Sequence, residues 1–305
     1  MIDSGPIRLT IAASDAGEAI GAIAARAVGE ASAAMALAHG GVWIGRQRAE
    51  STDQPVAAGD MVAISRPPTG SYATVTVTPD WIVYEDADLI ALDKPAGTYV
   101  DATPWDHGGH LRSALEHFLA ARDGAPPRLH LAHRLDRDTS GVLLFSKSPA
   151  VNPALQAMFA TGLVHKRYIC RCIGVISEDT FDVVTGHGRG AKGHFRVYPL
   201  ADIGQALPTG SGAIKRMATH FTVVRRDGDS TLVQAEPLTG RTHQIRLHMA
   251  HIGHPLLGDS KYGGPTTWRG ELLCYHLLHA TELTLPHPHT GVLLRLTARP
   301  VMWAQ

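Results

Sequence analysis

Five ionisable side chains crowd into one short segment just ahead of a strand-like apolar run. The segment, residues 129–148, reads LHLAHRLDRDTSGVLLFSKS. Its ionisable members are His133, Arg134, Asp136, Arg137 and Asp138. A carboxylate held among arginines stays ionised, because nearby positive charge favours its charged form. With hydroxyls and a glycine at 139–141, the segment predicts an anion held rigidly within reach of a substrate.

Other interpretations of this segment remain. HRLD at 133–136 resembles the H-R-D loop of protein kinases, but the glycine-rich loop, paired lysine and D-F-G metal site that kinases also need do not follow in order. An aspartate beside an arginine can also be a purely structural ion pair. The hydroxyl-rich surroundings favour a functional role over that structural one.

A metal site is the main alternative elsewhere in the chain. The 18 histidines include a cluster at His243, His248, His251 and His254. Helical ligand pairs usually stand four residues apart, as in H-E-x-x-H, whereas the first two of these stand five apart and the next two three apart. Surface histidines or histidines that support other residues are the favoured interpretation, and a His-dependent metallohydrolase stays an alternative.

The elements that must position these residues predict an α+β protein, because the strands are joined mostly by hairpins with helices between them. Helices are predicted over 16–28, 32–38, 111–122, 153–161 and 242–252. Strands are predicted over 42–44, 61–64, 81–85, 88–93, 142–145, 166–173, 219–226, 230–236, 278–285 and 292–297. The Gly- and His-rich residues 185–213 are predicted to form a loop.

Charge is distributed unevenly along the 305 residues, although the net charge is zero. Residues 1–120 hold 7 Lys/Arg against 15 Asp/Glu, and residues 121–305 hold 21 against 13. Between 161 and 226 alone, ten basic residues, Lys192 among them, face four acidic ones. The second part is therefore predicted to bind a polyanion.

Cysteine usage and hydropathy indicate a cytoplasmic protein. Cys170, Cys172 and Cys274 form neither a disulfide framework nor a Cys-based zinc site, and the C-x-C pair is predicted to point into a core. No secretory signal opens the chain. The small-apolar stretch 19–41 is interrupted by Arg26 and Glu30, so we expect helix there and no membrane span.

Four motifs in order resemble those of the RluA-type RNA pseudouridine synthases. HRLDRDTSG at 133–141 is similar to the family's signature, DLIALDKPAG at 88–97 to its K-P-x-G turn, and VHKRYICRCIG at 164–174 to its K-x-Y strand. PLTGRTHQIRLH at 237–248, followed by GHPLLGDSKYG, is similar to its longest motif. The resemblance covers residues 80–305 and implies a catalytic domain with a mixed, mostly antiparallel central sheet flanked by helices.

The resemblance also implies an activity and roles. It implies isomerisation of uridine to pseudouridine in ribosomal or transfer RNA, without cofactor or metal. The sequence is silent on the oligomeric state, and a monomer is the default expectation. Asp136 matches the catalytic aspartate, Tyr168 the active-site tyrosine and Arg246 the arginine that pairs with the aspartate. The residues expected to contact RNA are Arg134, Arg137, Lys166, Arg167, Arg241 and His243, with Leu278 packing against the base. A catalytically silent RNA-binding protein of the same fold is the competing hypothesis.

The N-terminal part is similar to the S4 RNA-binding module. Residues 1–66 have its outline, 67–79 are predicted to be a linker, and 80–305 the catalytic domain. The S4 module usually presents a basic helix, but the matching segment, GEASAAMALAHGG at 29–41, contains no Lys or Arg. We therefore expect an S4-like fold with weakened RNA affinity.

Overall fold

The computed structural model describes residues 5–125, 127–190, 194–210 and 212–305, which divide into two units. The first unit comprises residues 5–77 and the described part of 98–127, and the second comprises 78–97 and the described part of 128–305. Segment 98–127 therefore groups with the first unit, whereas the predicted boundary placed it in the catalytic domain. Hydrogen bonds explain this grouping: His107 N donates to His39 O at 3.0 Å, and Trp43 Nε1 donates to Pro104 O at 2.7 Å.

The first unit packs α1 and α2 on one face of a four-stranded sheet of order β1-β4-β2-β3. Its elements are β1 Ile7–Thr10, α1 Ile20–Val28, α2 Glu30–Ala38, β2 Val42–Ile44, β3 Gln47–Arg48, β4 Met61–Ile64 and α3 Leu111–Asp123. Helix α1 starts four residues later than predicted, because Gly17 adopts a φ of 88° that ends the preceding turn. Small apolar residues of α1 and α2 pack against the strands, which explains why this apolar stretch needs no membrane.

The second unit is built on an 11-stranded sheet. Its elements are β5 Ile82–Glu85, β6 Leu89–Lys94, β7 His130–Leu131, β8 Ser140–Ser146, α4 Asn152–Thr161, β9 His165–Ile173, β10 Thr180–Arg189, β11 Phe195–Tyr198, β12 Lys215–Arg226, β13 Ser230–Pro237, α5 Gln244–His251, β14 Thr267–Trp268, β15 Glu271–Leu272, β16 Leu278–Pro286 and β17 Leu293–Thr297. The strand order is β11-β10-β12-β13-β9-β16-β8-β6-β5, with β17 beside β16 and β7 beside β8. Strands β14 and β15 form a separate pair.

The predicted α+β class and mostly antiparallel sheet are confirmed. Among the described strands, every pair is antiparallel except β8 with β16. The loop predicted over 185–213 is wrong in its first part, where β10 runs to Arg189 and β11 follows at Phe195. Glycine lowers strand propensity, but here it serves close packing: a Cβ on Gly188 would lie 2.2 Å from Leu207 Cδ2.

Two apolar clusters of described residues lie within the second unit. One joins α5 to the strands around β9 and contains the buried thiols Cys170 and Cys172, as predicted. The other joins α4 and β17 to β8, whose residues 141–146 are all buried. Among the described residues, no helix is both long enough and apolar enough to cross a membrane.

Candidate active site

The loop that carries Asp136 leads directly into β8 and is fixed from several sides. Thr139 N donates to Asp136 O at 3.2 Å and closes a turn. The Thr139 hydroxyl lies 2.8 Å from Nε2 of buried His276. On the other side, buried Lys94 donates from Nζ to Arg137 O at 2.8 Å. The carboxylate of Asp136 is therefore carried by a rigid turn.

Gly141 lets this loop approach β16. Strands β8 and β16 run parallel there, with Ser140 beside His279 and Gly141 beside Ala280. Gly141 has a φ of 106°, and a Cβ on it would lie 2.1 Å from Ala280 O. No other residue fits this position, because both the space and the backbone conformation require glycine.

Arg246 connects the Asp136 carboxylate to a second, deeper carboxylate. Its Nη1 donates to Asp136 Oδ2 at 2.9 Å. Its Nε and Nη2 donate to the two oxygens of Asp259 at 2.7 and 2.8 Å. Asp259 is 2% exposed and Arg246 7%, whereas 23% of the Asp136 side chain is exposed. Asp259 therefore orients the guanidinium, and the carboxylate that faces solvent is Asp136.

Electrostatics keep Asp136 charged. Burial alone would raise the pKa of Asp136, but His243 and Arg246 more than compensate and lower it below its usual value. Burial lowers the pKa of His243 to about 4, so this ring is neutral at neutral pH and Arg246 supplies the lasting positive charge. The site therefore holds a carboxylate anion at physiological pH.

His243 is held beside this anion by its backbone and by Tyr262. His243 has a φ of 59°, and its Nε2 lies 3.8 Å from Asp136 Oδ2. Its Nδ1 lies 2.6 Å from the Tyr262 hydroxyl, and burial raises the pKa of Tyr262 to about 12. A tyrosine that keeps its proton donates to Nδ1, so the imidazole hydrogen is expected on Nε2, towards Asp136.

Tyr168 lies on β9, opposite Ala280 of β16 and Ala235 of β13. Its ring packs on the edge of the apolar cluster that contains Leu278. Burial raises the pKa of Tyr168, and the charge of Asp136 raises it further, so the hydroxyl is protonated and lies within the field of that carboxylate. An ionised carboxylate suits a reaction in which positive charge develops on a substrate carbon.

Comparison with known proteins identifies the family. Residues 88–251 match the family model described as RNA pseudouridylate synthase. RNA pseudouridine synthase 1 of Oryza sativa subsp. japonica is 35% identical over 292 residues, which cover 83% of this chain and 82% of that protein. The chain belongs to the RluA-type RNA pseudouridine synthases. It is an enzyme that isomerises uridine to pseudouridine in RNA.

Two further relatives support the assignment. Ribosomal large subunit pseudouridine synthase C of Vibrio vulnificus is 34% identical over 276 residues, covering 85% of this chain and 81% of that protein. The solved structure of human RNA pseudouridylate synthase domain containing 1 superposes with a TM-score of 0.57 at 25% identity, covering 73% of this chain and 85% of that one. Family membership therefore favours the enzyme over the catalytically silent alternative.

The residues predicted to contact RNA are in varied environments in this synthase. Arg134 is exposed, whereas Arg137 is half-buried and donates from Nε to Gly97 O at 3.3 Å. Lys166 donates to Thr239 O at 3.3 Å, and burial lowers its pKa. Arg167 is paired with two glutamates, Glu236 at 3.2 Å and Glu282 at 3.3 Å. Arg241 donates from Nε to Arg216 O at 3.1 Å.

The basic residues counted in the sequence divide into two groups. Arg171, Arg225 and Arg226 are in ion pairs with aspartates, so their charge is largely used within the protein. Four others are exposed near the shared end of β10, β11 and β12: Arg189, Arg196, Lys215 and Arg216. Lys192 lies outside the described residues. Phe195 connects this basic strand end to the active site, because its ring centroid lies 5.8 Å from that of His243.

Leu278 is 5% exposed and belongs to the same apolar cluster that Tyr168 borders. It begins β16, directly before His279, which pairs with Ser140 of the catalytic segment. The contact of Leu278 with the base stays a prediction.

Sequence reasoning gave no role to Asp259, Tyr262, His276 or Lys94. The first two lie in the GHPLLGDSKYG segment and Lys94 in the K-P-x-G turn, so the motifs indicated the segments without the roles. Burial lowers the pKa of Lys94 to about 7, although Asp138 and Asp136 act in the opposite direction. His276 had no such signal, because only the fold brings it to Thr139.

The histidine cluster does not form a metal centre in the described part of the chain, where no group of three potential ligands converges. His248 was expected at the surface or in support of other residues, but it is fully buried. Its two ring nitrogens lie 3.2 Å from the Thr185 hydroxyl and 2.9 Å from the Thr219 hydroxyl. Both nitrogens are thus engaged, and this ring packs the core beneath α5.

Proposed function

We propose that Asp136 is the catalytic carboxylate and acts on the ribose of the target uridine. Breaking the C–N glycosidic bond builds positive charge on the sugar, which an ionised carboxylate stabilises or captures. The observation that carries this proposal is the 2.9 Å hydrogen bond from Arg246, which is itself held by Asp259. Covalent addition at C1′ and a glycal route through the 2′ position both start from this charged group.

We propose that Tyr168 holds the uracil while it rotates and reattaches through C5. The raised pKa of Tyr168 means that its hydroxyl is protonated at rest. Its oxygen can therefore accept the C5 proton only while its own proton passes to another base. We propose the Asp136 carboxylate as that base, since it is free again once C5 has bonded to C1′ and its charge already raises the pKa of Tyr168. Leu278, in the neighbouring apolar cluster, is proposed to pack against the same base.

RNA is the partner, and we propose that the target nucleotide is flipped out of its stack to reach Asp136. Arg134, two residues before Asp136, is exposed and is proposed to hold the RNA around the extruded nucleotide. The exposed basic strand end of β10–β12 supports backbone contacts, which position RNA and make its affinity depend on salt. Arg167 is expected to contribute less, because two glutamates already pair with it.

We propose ribosomal RNA as the substrate class, supported by the name of the Vibrio vulnificus relative, with transfer RNA as the second candidate. We further propose a cytoplasmic monomer that needs no cofactor, with an S4-like first unit. Mapping pseudouridines in cellular RNA with and without the gene tests the substrate class. The two classes are distinguished by which RNA loses a modified position.

The test of the catalytic assignment is Asp136→Asn, which keeps the shape of the side chain and removes its charge. We expect pseudouridine formation to fall below detection while RNA affinity, measured by fluorescence anisotropy, stays within about twofold. Asp227→Asn is the matched control, because Asp227 pairs with the buried Arg171 and does not contact Asp136. Full turnover by the Asp136→Asn enzyme would remove Asp136 from the mechanism.

A further inference from the structure

The first unit contains a cleft of about 300 Å³ on the face of its sheet. Its lining includes Arg8, Trp43, Ala63, Arg66, Pro104 and Trp105. Two aromatic rings and two arginines thus converge on one concave surface. Nothing in the catalytic proposal uses these residues.

The strand register explains why the cleft forms. Arg8 of β1 and Trp43 of β2 both stand opposite Ala63 of β4, so the three side chains form one row across neighbouring strands. Side chains alternate between the two faces of a sheet, and Val62 and Ile64 point to the core under the helices. The row therefore lies on the face away from α1 and α2, and the small Ala63 leaves a depression between a cation and an indole.

The aromatic walls are fixed in place. Trp43 donates from Nε1 to Pro104 O at 2.7 Å, and the guanidinium of Arg48 lies 4.4 Å from its ring centroid. Trp105 is held edge-on by Tyr99, with ring centroids 5.6 Å apart. A rigid aromatic surface loses little conformational entropy when a flat ligand stacks on it.

The charge of the cleft is opposite to that of its surroundings. The sequence of the first unit, residues 1–77 and 98–127, holds 7 Lys/Arg against 11 Asp/Glu, yet none of the described residues that line the cleft is acidic. Arg8 and Arg66 are exposed, and within the described residues neither has an ion-pair partner. Two unpaired cations beside indole rings suit a ligand that combines anionic groups with flat rings.

We propose that this cleft binds a short single-stranded segment of RNA. A base stacks on Trp43 or Trp105, and the flanking phosphates contact Arg8 and Arg66, as in single-strand binding sites that combine aromatic platforms with a basic groove. The cleft has room for about one nucleotide. This inference rests on the proposed function only in taking RNA as the ligand. The proposed RNA-binding surface is the face of the sheet opposite α1 and α2. The lack of Lys and Arg in α2 therefore does not weaken it.

The test uses the full chain and a hexamer of uridine that carries one 4-thiouridine and a fluorescent label. Irradiation should cross-link the probe to a peptide that contains Trp43 or Trp105. In anisotropy titrations, the double variant Arg8→Gln/Arg66→Gln should bind the probe at least about tenfold more weakly. The slope of log affinity against log salt should fall by about 1.4, because each phosphate contact on a single strand contributes about 0.7.

The double variant Arg26→Gln/Arg122→Gln is the matched control, since it removes the same two charges from α1 and α3, outside the cleft. Both sets of variants should keep the thermal midpoint of the wild-type enzyme. Equal affinity of the double variant and the control, or cross-links that fall only in the second unit, would overturn the proposal. So would equal competition by a polyaspartate peptide of matched charge, which would indicate an acidic peptide as the ligand. Probe binding needs no turnover, so this result is independent of the pseudouridine assay.

Discussion

The buried carboxylate behind the active site offers the sharpest test of how the site is built. Asp259 is 2% exposed and accepts two hydrogen bonds from Arg246, at 2.7 and 2.8 Å. Asp259→Asn keeps the shape of the side chain but replaces one accepting oxygen with an NH2 group. The N–H of this group would face an N–H of Arg246, so one hydrogen bond is lost. The guanidinium then keeps one charged partner, Asp136, at 2.9 Å.

The substitution should lower both the stability of the enzyme and its catalytic rate. Removing one member of a buried ion pair costs about 3–5 kcal/mol. Because Arg246 still pairs with Asp136, we expect a loss of stability at the lower end of this range, about 3 kcal/mol. A displacement of about 1 Å at a catalytic group can cost about 100-fold in rate. We therefore expect kcat to fall about 100-fold, with KM changed much less because Asp259 is buried away from the RNA.

The assay is release of tritium from RNA that carries C5-tritiated uridine, run beside urea unfolding. Asp227→Asn is the control, because it weakens a buried Arg–Asp pair that includes Arg171 and leaves Arg246 untouched. The control should lose stability and keep kcat, whereas Asp259→Asn should lose both. If Asp259→Asn retains the wild-type kcat, Arg246 does not depend on Asp259 for its position and the reasoning fails.

Three further predictions concern the same unit. Tyr168→Phe should lower kcat at least about tenfold with RNA affinity unchanged, since the ring still stacks but the hydroxyl is lost; an unchanged kcat in single-turnover assays would refute the role. Burial lowers the pKa of His243, His248 and His276 to about 4. Below pH 6.5 the unfolded chain therefore binds more protons than the folded enzyme, so the free energy of unfolding should fall between about pH 6.5 and about pH 4. Because these rings stay neutral in the folded enzyme, kcat/KM should show no inflection near pH 6.5. Urea titrations and a pH–rate profile check the two statements. Gly141→Ala should destabilise the enzyme by more than about 3 kcal/mol, because a Cβ has no space there and the φ of Gly141 is 106°. Calorimetry measures the loss. Gly162→Ala is the control, because Gly162 has a φ of 79° but open space around it.

Local patterns were sufficient for many elements. Strand β8 is an uninterrupted apolar run, which fits burial on both faces, and the β12–β13 hairpin has Asp227-Gly228-Asp229 between two alternating strands. These elements could be predicted because hydrophobic periodicity and turn residues depend only on neighbouring positions in the sequence. Strand β10 was missed for the opposite reason: Gly186 and Gly188 look like loop residues until the fold brings Ile214 and Leu207 against them.

Local motifs were enough to indicate the family and to select Asp136, Tyr168 and Arg246 as the residues of interest, because each of these residues lies within one of them. The spacing of strands and turns indicated the α+β class. The pairing of distant segments decided that Asp259 holds Arg246, that β16 pairs with Gly141 just after the Asp136 turn, and that Arg167 is paired with two glutamates. Contacts between residues more than 100 positions apart, such as Asp136 with Arg246, depend on how strands pair. Strand pairing is set by the packing of the whole sheet, and no local stretch of sequence encodes it.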